Sequence, residues 1–251
     1  MDNLVKTELF KLRKDRSFWT LILGLLASGI LYPMLIFFND GVFGADAISV
    51  KDLYAYTALG GNSYIVKLVP CILAGFFISS EFSLGTMKSI GASGNSRFRI
   101  YFSKLMIFSI GAVIISLTFP IVIMIVGAIL SGFNDMPAMD YVVRTLGLTL
   151  LYAAAFASIM AVVSIILTDS GKTIGFLILF FILFDSIFYA LSQKFSFIEQ
   201  IFNYSVFKLF LEISEFEISN GILLKLVLVP IITFVVFGLI GSLVFQKKEI
   251  K

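Results

Sequence analysis

The stretch FWTLILGLLASGILYPMLIFF, residues 18–38, runs for 21 residues without a charged side chain. As an α-helix rising 1.5 Å per residue it is about 31 Å long, the hydrocarbon thickness of a bilayer. A soluble core needs no apolar run of that length. Residues 1–17 before it are mostly polar. A removable signal has a short basic region, about 7–15 apolar residues and a small-residue cleavage site. The longer run and its long polar lead predict a span that is retained.

Working outward, five more stretches are long and apolar enough to cross, at residues 64–80, 103–130, 142–168, 174–191 and 222–245. The second is the weakest, being short and holding Lys67 and Pro70. Lys67 near its end is expected to snorkel outward. Composition agrees with six spans. Hydrophobic residues make up 59% of the chain and charged ones 14%, against about 45–50% and 25% in soluble domains; the mean hydropathy is +1.02. Nothing alternates as barrel strands do, so helices must satisfy the backbone in lipid. The expected fold class is an all-α integral membrane protein of six transmembrane helices. Its expected parts are an amphipathic interfacial segment, residues 1–17, and a transmembrane domain, residues 18–251. No internal repeat relates the halves.

Lysines and arginines orient the spans. With both termini cytoplasmic, one side holds Lys6, Lys11, Arg13, Lys14, Arg16, Lys88, Arg97, Arg99, Lys104, Lys172, Lys247, Lys248 and Lys251. The other holds Lys51, Lys67, Arg144, Lys194, Lys208 and Lys225, which completes the 19 basic residues. The acids lean to that second side, with Asp40, Asp46, Asp52, Glu212, Glu215 and Glu217. The expected localisation is the plasma membrane, multi-pass, with both termini in the cytoplasm.

Three pieces do not span. In residues 1–17, Val5, Leu9, Leu12 and Arg16 share one helical face, with Lys6, Arg13 and Lys14 away from it. That pattern reads either as a basic amphipathic helix on the inner leaflet, meeting the first span at Trp19, or as a charged anchor that only sets topology. Residues 81–100, EFSLGTMKSIGASGNSRFRI, form the second piece. Phe82, Met87 and Ile90 are expected on one side of a short helix, GASGN makes a turn, and Ser96 caps the next span. A connector needs only about four residues, so the reading lies between a docking surface and a long connector. Residues 192–221 hold too much Phe and Ile for a hydrated linker and predict one or two short helices on, or dipping into, the outer surface.

Several chemistries are excluded. The chain has no histidine, hence no zinc site of the H-E-x-x-H kind and no Ser–His or Cys–His pair. Its single cysteine, Cys71, cannot form an internal disulfide and lies in an apolar run. A net charge of +3 does not point to nucleic acid. The DSGKT of residues 169–173 ends like a phosphate-binding loop, but the first glycine of G-x-x-x-x-G-K-[ST] falls on Ile166. It reads instead as a tight turn in which Thr168 and Asp169 close one helix while Ser170 and Gly171 open the next. Asp185 is the one acid well inside a span, and a charge there is costly enough to mark a translocation path or a hydrogen bond within the bundle. With no nucleotide, metal or catalytic pair of its own, a chain bearing a docking loop calls for an engine on another polypeptide.

The stretch SSEFSLGTMKSIGASGNSRFRIYFSKL resembles the segment after the second span of ABC-2-type permeases, roughly E-[FY]-x-x-G-T-[LMI]-[KR], a small-residue turn, S-R, and a Lys opening the third span. Glu81, Phe82, Gly85, Thr86, Met87, Lys88, Ser96, Arg97 and Lys104 match it. Within that family the chain is similar to small permeases of bacteriocin-immunity and peptide-export systems, including exporters of lantibiotics or phenol-soluble modulins. The resemblance implies a cytoplasmic coupling helix between spans 2 and 3 that docks on a separate ABC ATPase. Phe82 and Met87 would be apolar anchors, and Glu81 would pair with the ATPase or with Arg97. Gly85 would allow close backbone approach, and Lys88 and Arg97 would complete the contact. The turn with Thr168, Asp169 and Lys172 would be a second contact. It further implies a second permease chain, no cofactor in this chain (ATP and magnesium belonging to the ATPase), and export of an amphipathic peptide or hydrophobic compound. The competing expectation is a carrier or channel driven by an ion gradient, using Asp185 and Lys67.

Overall fold

The computed structural model describes residues 2–38, 49–92 and 94–248. Asp40, Asp46, Lys251 and part of the GASGN turn lie outside the described residues. All regular structure among the described residues is helical. We label the helices α1 (Asp2–Lys14), α2 (Arg16–Ile36), α3 (Val50–Ser83), α4 (Thr86–Gly91), α5 (Arg97–Ser131), α6 (Met139–Leu167), α7 (Ser170–Ser192), α8 (Ser196–Asn203), α9 (Val206–Leu211) and α10 (Asn220–Lys247). Six of them, α2, α3, α5, α6, α7 and α10, are long and apolar enough to cross a membrane.

The cross-section is layered around α3 and α6. Of their most apolar windows 61% and 67% are buried inside the protein, against 12% for α7 and 17% for α10. The two inner helices therefore form the core, and the outer ones present apolar side chains outward. In α6 the run Ala153, Ala155, Phe156, Ala157, Ser158 and Ala161 is buried. Small residues there let backbones approach closely, which drives packing between helices in lipid. On α10, Gly238 and Ser242, one turn apart, face inward in the same way.

The second span differs most from expectation. Instead of beginning at Tyr64, the helix begins at Val50, where the Ser49 hydroxyl caps the amide of Asp52 at 3.1 Å. Lys51, Asp52, Gly60 and Gly61 make residues 50–63 look like a loop by composition. Leu53, Tyr54, Ala58 and Leu59 are nonetheless buried, and Tyr54 Oη lies 2.8 Å from Thr145 Oγ1 of α6. Tertiary packing overrides local polarity here. Two widened π segments, Leu53–Leu59 and Gly75–Ser79, interrupt the helix, a feature often found at functional sites. Lys67 is not at a helix end reaching outward but 4% exposed, mid-helix.

The connectors gather at two ends. At one, α8 and α9 close the bundle. Val206, Phe207, Leu209 and Phe210 of α9 are buried, with Phe207 and Phe210 in ring contact with Phe156. Within residues 192–221, α9 thus dips into the protein, whereas α8 buries Phe202 and is otherwise largely exposed. The opposite end holds α1, the turn after α3, the α6–α7 turn and the C-terminal end of α10. The inward face of α1 is also different from the one expected. Glu8 and Leu12 are buried and Leu4 and Val5 partly so, while Leu9 is exposed.

Gly75 shows how tightly α3 meets α7. A Cβ there would lie 2.9 Å from the Ser170 carbonyl oxygen and clash with the Ile174 side chain. Gly24, on the outward face of α2, has open space around it. Gly75→Ala should therefore lower the thermal midpoint in detergent, at a cost of about 1–3 kcal/mol. Gly24→Ala should leave it unchanged or raise it slightly.

Candidate functional site

The α1 end of the bundle is organised around four charges. Lys11 Nζ donates to Glu8 Oε1 at 2.7 Å and to Glu81 Oε1 at 2.8 Å. Lys104 Nζ lies 2.9 Å from Glu8 Oε2 and 2.7 Å from Glu81 Oε2. Each lysine bridges both carboxylates, closing a ring of alternating sign and zero net charge. Glu8 and Lys11 come from α1, Glu81 from the last turn of α3, and Lys104 from the second turn of α5. The Lys104 side chain is 4% exposed and Glu8 5%, whereas Lys11 is 34% exposed. Lys104 also sits 5.0 Å from the Phe77 ring centre, within cation–π range.

A carboxylate and an ammonium this deep survive only because they are paired. Burial by itself would push the Glu8 carboxyl up, but Lys104 and then Lys11 outweigh it and hold the group below its ordinary 4.5. Burial works against Lys11 too, and its bonds to Glu8 and Glu81 leave it above its ordinary 10.5. An apolar face drawn through Leu9 leaves Glu8 off the stripe. Drawn through Leu4, Val5 and Leu12, the same helix puts an acid inside the apolar stripe, a visible signal that it needs a buried cation.

The expected docking residues divide between interior and surface. Glu81 is committed to Lys11 and Lys104 rather than to Arg97. Phe82 turns inward, 6.2 Å from the Phe245 ring of α10. Met87 is 1% exposed and Ile90 packs on the core, so neither Phe82 nor Met87 is presented as an apolar anchor. A single helix does not carry them, since the chain breaks at Gly85. That residue has φ of 73°, the left-handed region that costs other residues about 1–2 kcal/mol. A Cβ on Gly85 would meet nothing within 4 Å, so its backbone conformation, not close approach, calls for glycine. Thr86 Oγ1 donates back to the Glu81 carbonyl at 3.2 Å and closes the turn. Facing outward are Ser83, Leu84, Thr86, Lys88 and Ser89, with Leu84 76% exposed.

Arg97, at the start of α5 where Ser96 caps the amide of Arg99, donates to the carbonyls of Gln246 and Lys248 at 2.8 and 2.6 Å. Lys248 in turn donates to the carbonyls of Ile165 and Ile166 at the end of α6. Cations at helix C-termini satisfy the last carbonyls and the dipole together. The α6–α7 turn is two residues long. Thr168 closes α6 with φ of 59°, but Asp169 opens α7 rather than closing α6, accepting from the Lys172 amide at 2.8 Å. Lys172 is exposed. Ser79, in the second π segment of α3, donates to the Ser164 carbonyl at 3.0 Å and lies 2.8 Å from Thr173 Oγ1. The two expected contacts are thus joined to each other through the buried end of α3. The Asp185 side chain lies outside the described residues.

The ring sets a pH window. Glu8 is lowered, so its contribution is present above 4.5 and is lost as pH falls through the depressed value. Lys11 is raised, so its contribution persists below 10.5 and is lost only above it. The thermal midpoint of the detergent-solubilised protein should be flat across neutral pH and fall below about 4.5. Lys104→Met, which leaves two buried carboxylates with one partly exposed lysine, should cost about 3–5 kcal/mol. Lys11→Met should cost clearly less, its charge being partly solvated.

Comparison with curated proteins gave no match. A protein-family model described as ABC-2 family transporter protein matches residues 4–186, which takes in α1, the ring, the Gly85 turn and the α6–α7 turn. With this match over most of its length and six helices fit to cross a membrane, the chain belongs to the ABC-2 family of transporters, as a membrane permease subunit.

Proposed function

We propose that this permease is driven by a separate ABC ATPase that docks on the Gly85 turn, and that it exports amphipathic peptides or other hydrophobic compounds. The observation that carries the reading is the position of Glu81. It lies in the last turn before Gly85 and is bonded at once to α1 and α5, so a push on the turn is delivered to three elements together. Phe82 against Phe245 extends the delivery to α10, and Ser79 to the α6–α7 turn. A partner that closes on ATP would thus move a stiff unit rather than a loose loop.

The surface around the turn suggests what the partner offers. Lys88 and Lys172 are exposed, as are Lys6, Arg13, Lys14, Arg16 and Arg99 on flanking segments. Leu84 stands among them as an exposed apolar side chain. An acidic groove with one apolar pocket would fit, and Leu84 takes the anchoring role first assigned to Phe82 and Met87. Thr168, Asp169 and Lys172 form the smaller second contact. A second permease chain, identical or related, would complete the transporter. The outward face of α7, with Phe176, Leu179 and Leu183 exposed, supports a partner along that helix. The basic end would face the cytoplasm of a bacterial cell, with both termini there, and ATP and magnesium would be held by the partner.

Co-purification from membranes in mild detergent tests this. An ABC ATPase should accompany the wild type and be lost with Leu84→Glu, while Met87→Leu, a change inside the fold, keeps it. Equal recovery with Leu84→Glu, or no ATPase in any sample with a non-hydrolysable ATP analogue present, would remove the docking role of the turn.

A further inference from the structure

At the end of the bundle opposite the ion ring, a cavity of about 470 Å³ opens between α3, α7 and the short helices α8 and α9. Its size lies within the range of small-ligand sites, about 300–1,000 Å³. The walls are unequal: α3 brings the charged group, while α7 adds Ser186 and Tyr189 to its apolar residues. One face of α3 supplies Ser63, Tyr64 and Lys67; the other sides bring Phe181 from α7, Phe202 from α8 and Phe207 from α9. The aromatic wall is stiff, since Phe181 and Phe207 lie 6.0 Å apart and both contact Phe156. The polar wall is centred on Lys67. Lys67 is 4% exposed with its ammonium 5.8 Å from the Tyr64 ring, and Ser63 is 9% exposed. An ammonium carries three N–H donors, so Lys67 can serve a neighbour and a ligand at once.

A buried lysine in a spanning helix is expensive and marks function more often than packing. Tyr64 lines the same space, while the Ser63 hydroxyl gives its one proton to the Gly60 carbonyl at 2.7 Å and the phenylalanines offer only apolar contact. We propose that this cavity binds a single-chain amphiphile, its anionic head, a carboxylate or a phosphate, on Lys67 and Tyr64 and its apolar chain against Phe181, Phe202 and Phe207. Binding itself does not depend on the export reading; whether the bound amphiphile represents cargo does.

The test uses the full chain in nanodiscs of zwitterionic lipid, with Trp19→Phe to remove the native tryptophan and Phe202→Trp as reporter in the cavity. Brominated dodecanoate, dodecyl phosphate and dodecyltrimethylammonium are titrated and quenching is followed. Leu239→Trp, on the outward face of α10, reports simple partition into lipid. The two anionic amphiphiles should quench the cavity reporter saturably, well below the concentration that quenches Leu239→Trp. Lys67→Met should weaken half-saturation by about tenfold or more, the weight of one charged hydrogen bond, and Lys67→Arg should recover most of it. Ser63→Leu, which keeps the charge and narrows the cavity, should also weaken binding, so the proposal stands on a second variant if Lys67→Met does not fold. A preference for phosphate would identify a lipid headgroup as the natural source, and a preference for carboxylate a fatty acid or a chain terminus. Equal quenching by the trimethylammonium probe, or identical titrations for the cavity and lipid reporters, would overturn the assignment. No ATPase enters the experiment, so its outcome is separate from that of the co-purification.

Discussion

Four charges in a closed ring hold this end of the protein together. Glu8, Lys11, Glu81 and Lys104 lie mostly out of water, where each ion alone would cost several kcal/mol. Their attraction offsets that cost only while all four are in place, because every carboxylate oxygen faces a lysine and each lysine serves two acids. Such a ring tolerates little play. It fixes an N-terminal helix that has no covalent reason to touch the end of α3, and it fixes the end of α3 against α5. Buried ion pairs contribute less to net stability than to choosing one arrangement over others. Here that arrangement is the relative placement of three helices at the turn where the chain leaves the bundle.

The remaining helix ends at this side are closed by the same chemistry. Arg97 covers the last carbonyls of α10, and Lys248 covers those of α6. These basic residues do more than set topology: two of them stitch helix termini that would otherwise leave acceptors unsatisfied. Below them, Ser79 joins α3 to α6 and α7 in a fully buried pair of hydrogen bonds. The turn at Gly85 is therefore the exposed tip of a rigid assembly. A rigid assembly suits a part that must transmit force, since packed interfaces shift as units rather than deforming continuously.

The other end is built differently. α9 inserts Phe207 and Phe210 among Tyr152, Phe156 and Phe181, and aromatic packing takes the place of ionic pairing. It leaves a cavity lined in part by Lys67.

The amino-acid sequence alone determined the six-helix membrane class, because an apolar run such as residues 18–38 has few stable homes other than a bilayer. It also determined that residues 81–100 leave the membrane and carry the family motif, but it ran one short helix through Gly85, where the structure breaks the chain. It did not reveal which way the side chains of that break would face. Phe82 and Met87 look like surface anchors in isolation; only the tertiary structure buries Met87, packs the half-buried Phe82 on Phe245 and leaves Leu84 outside. Nor could local composition place Val50 at the head of α3, because the polarity of Lys51 and Asp52 is outweighed by burial of Leu53, Tyr54 and Leu59 against α5 and α6. The ion ring was least legible of all. Its members are close in space but separated by up to 96 positions in the chain, and electrostatic pairing acts through distance in the fold, not along the sequence.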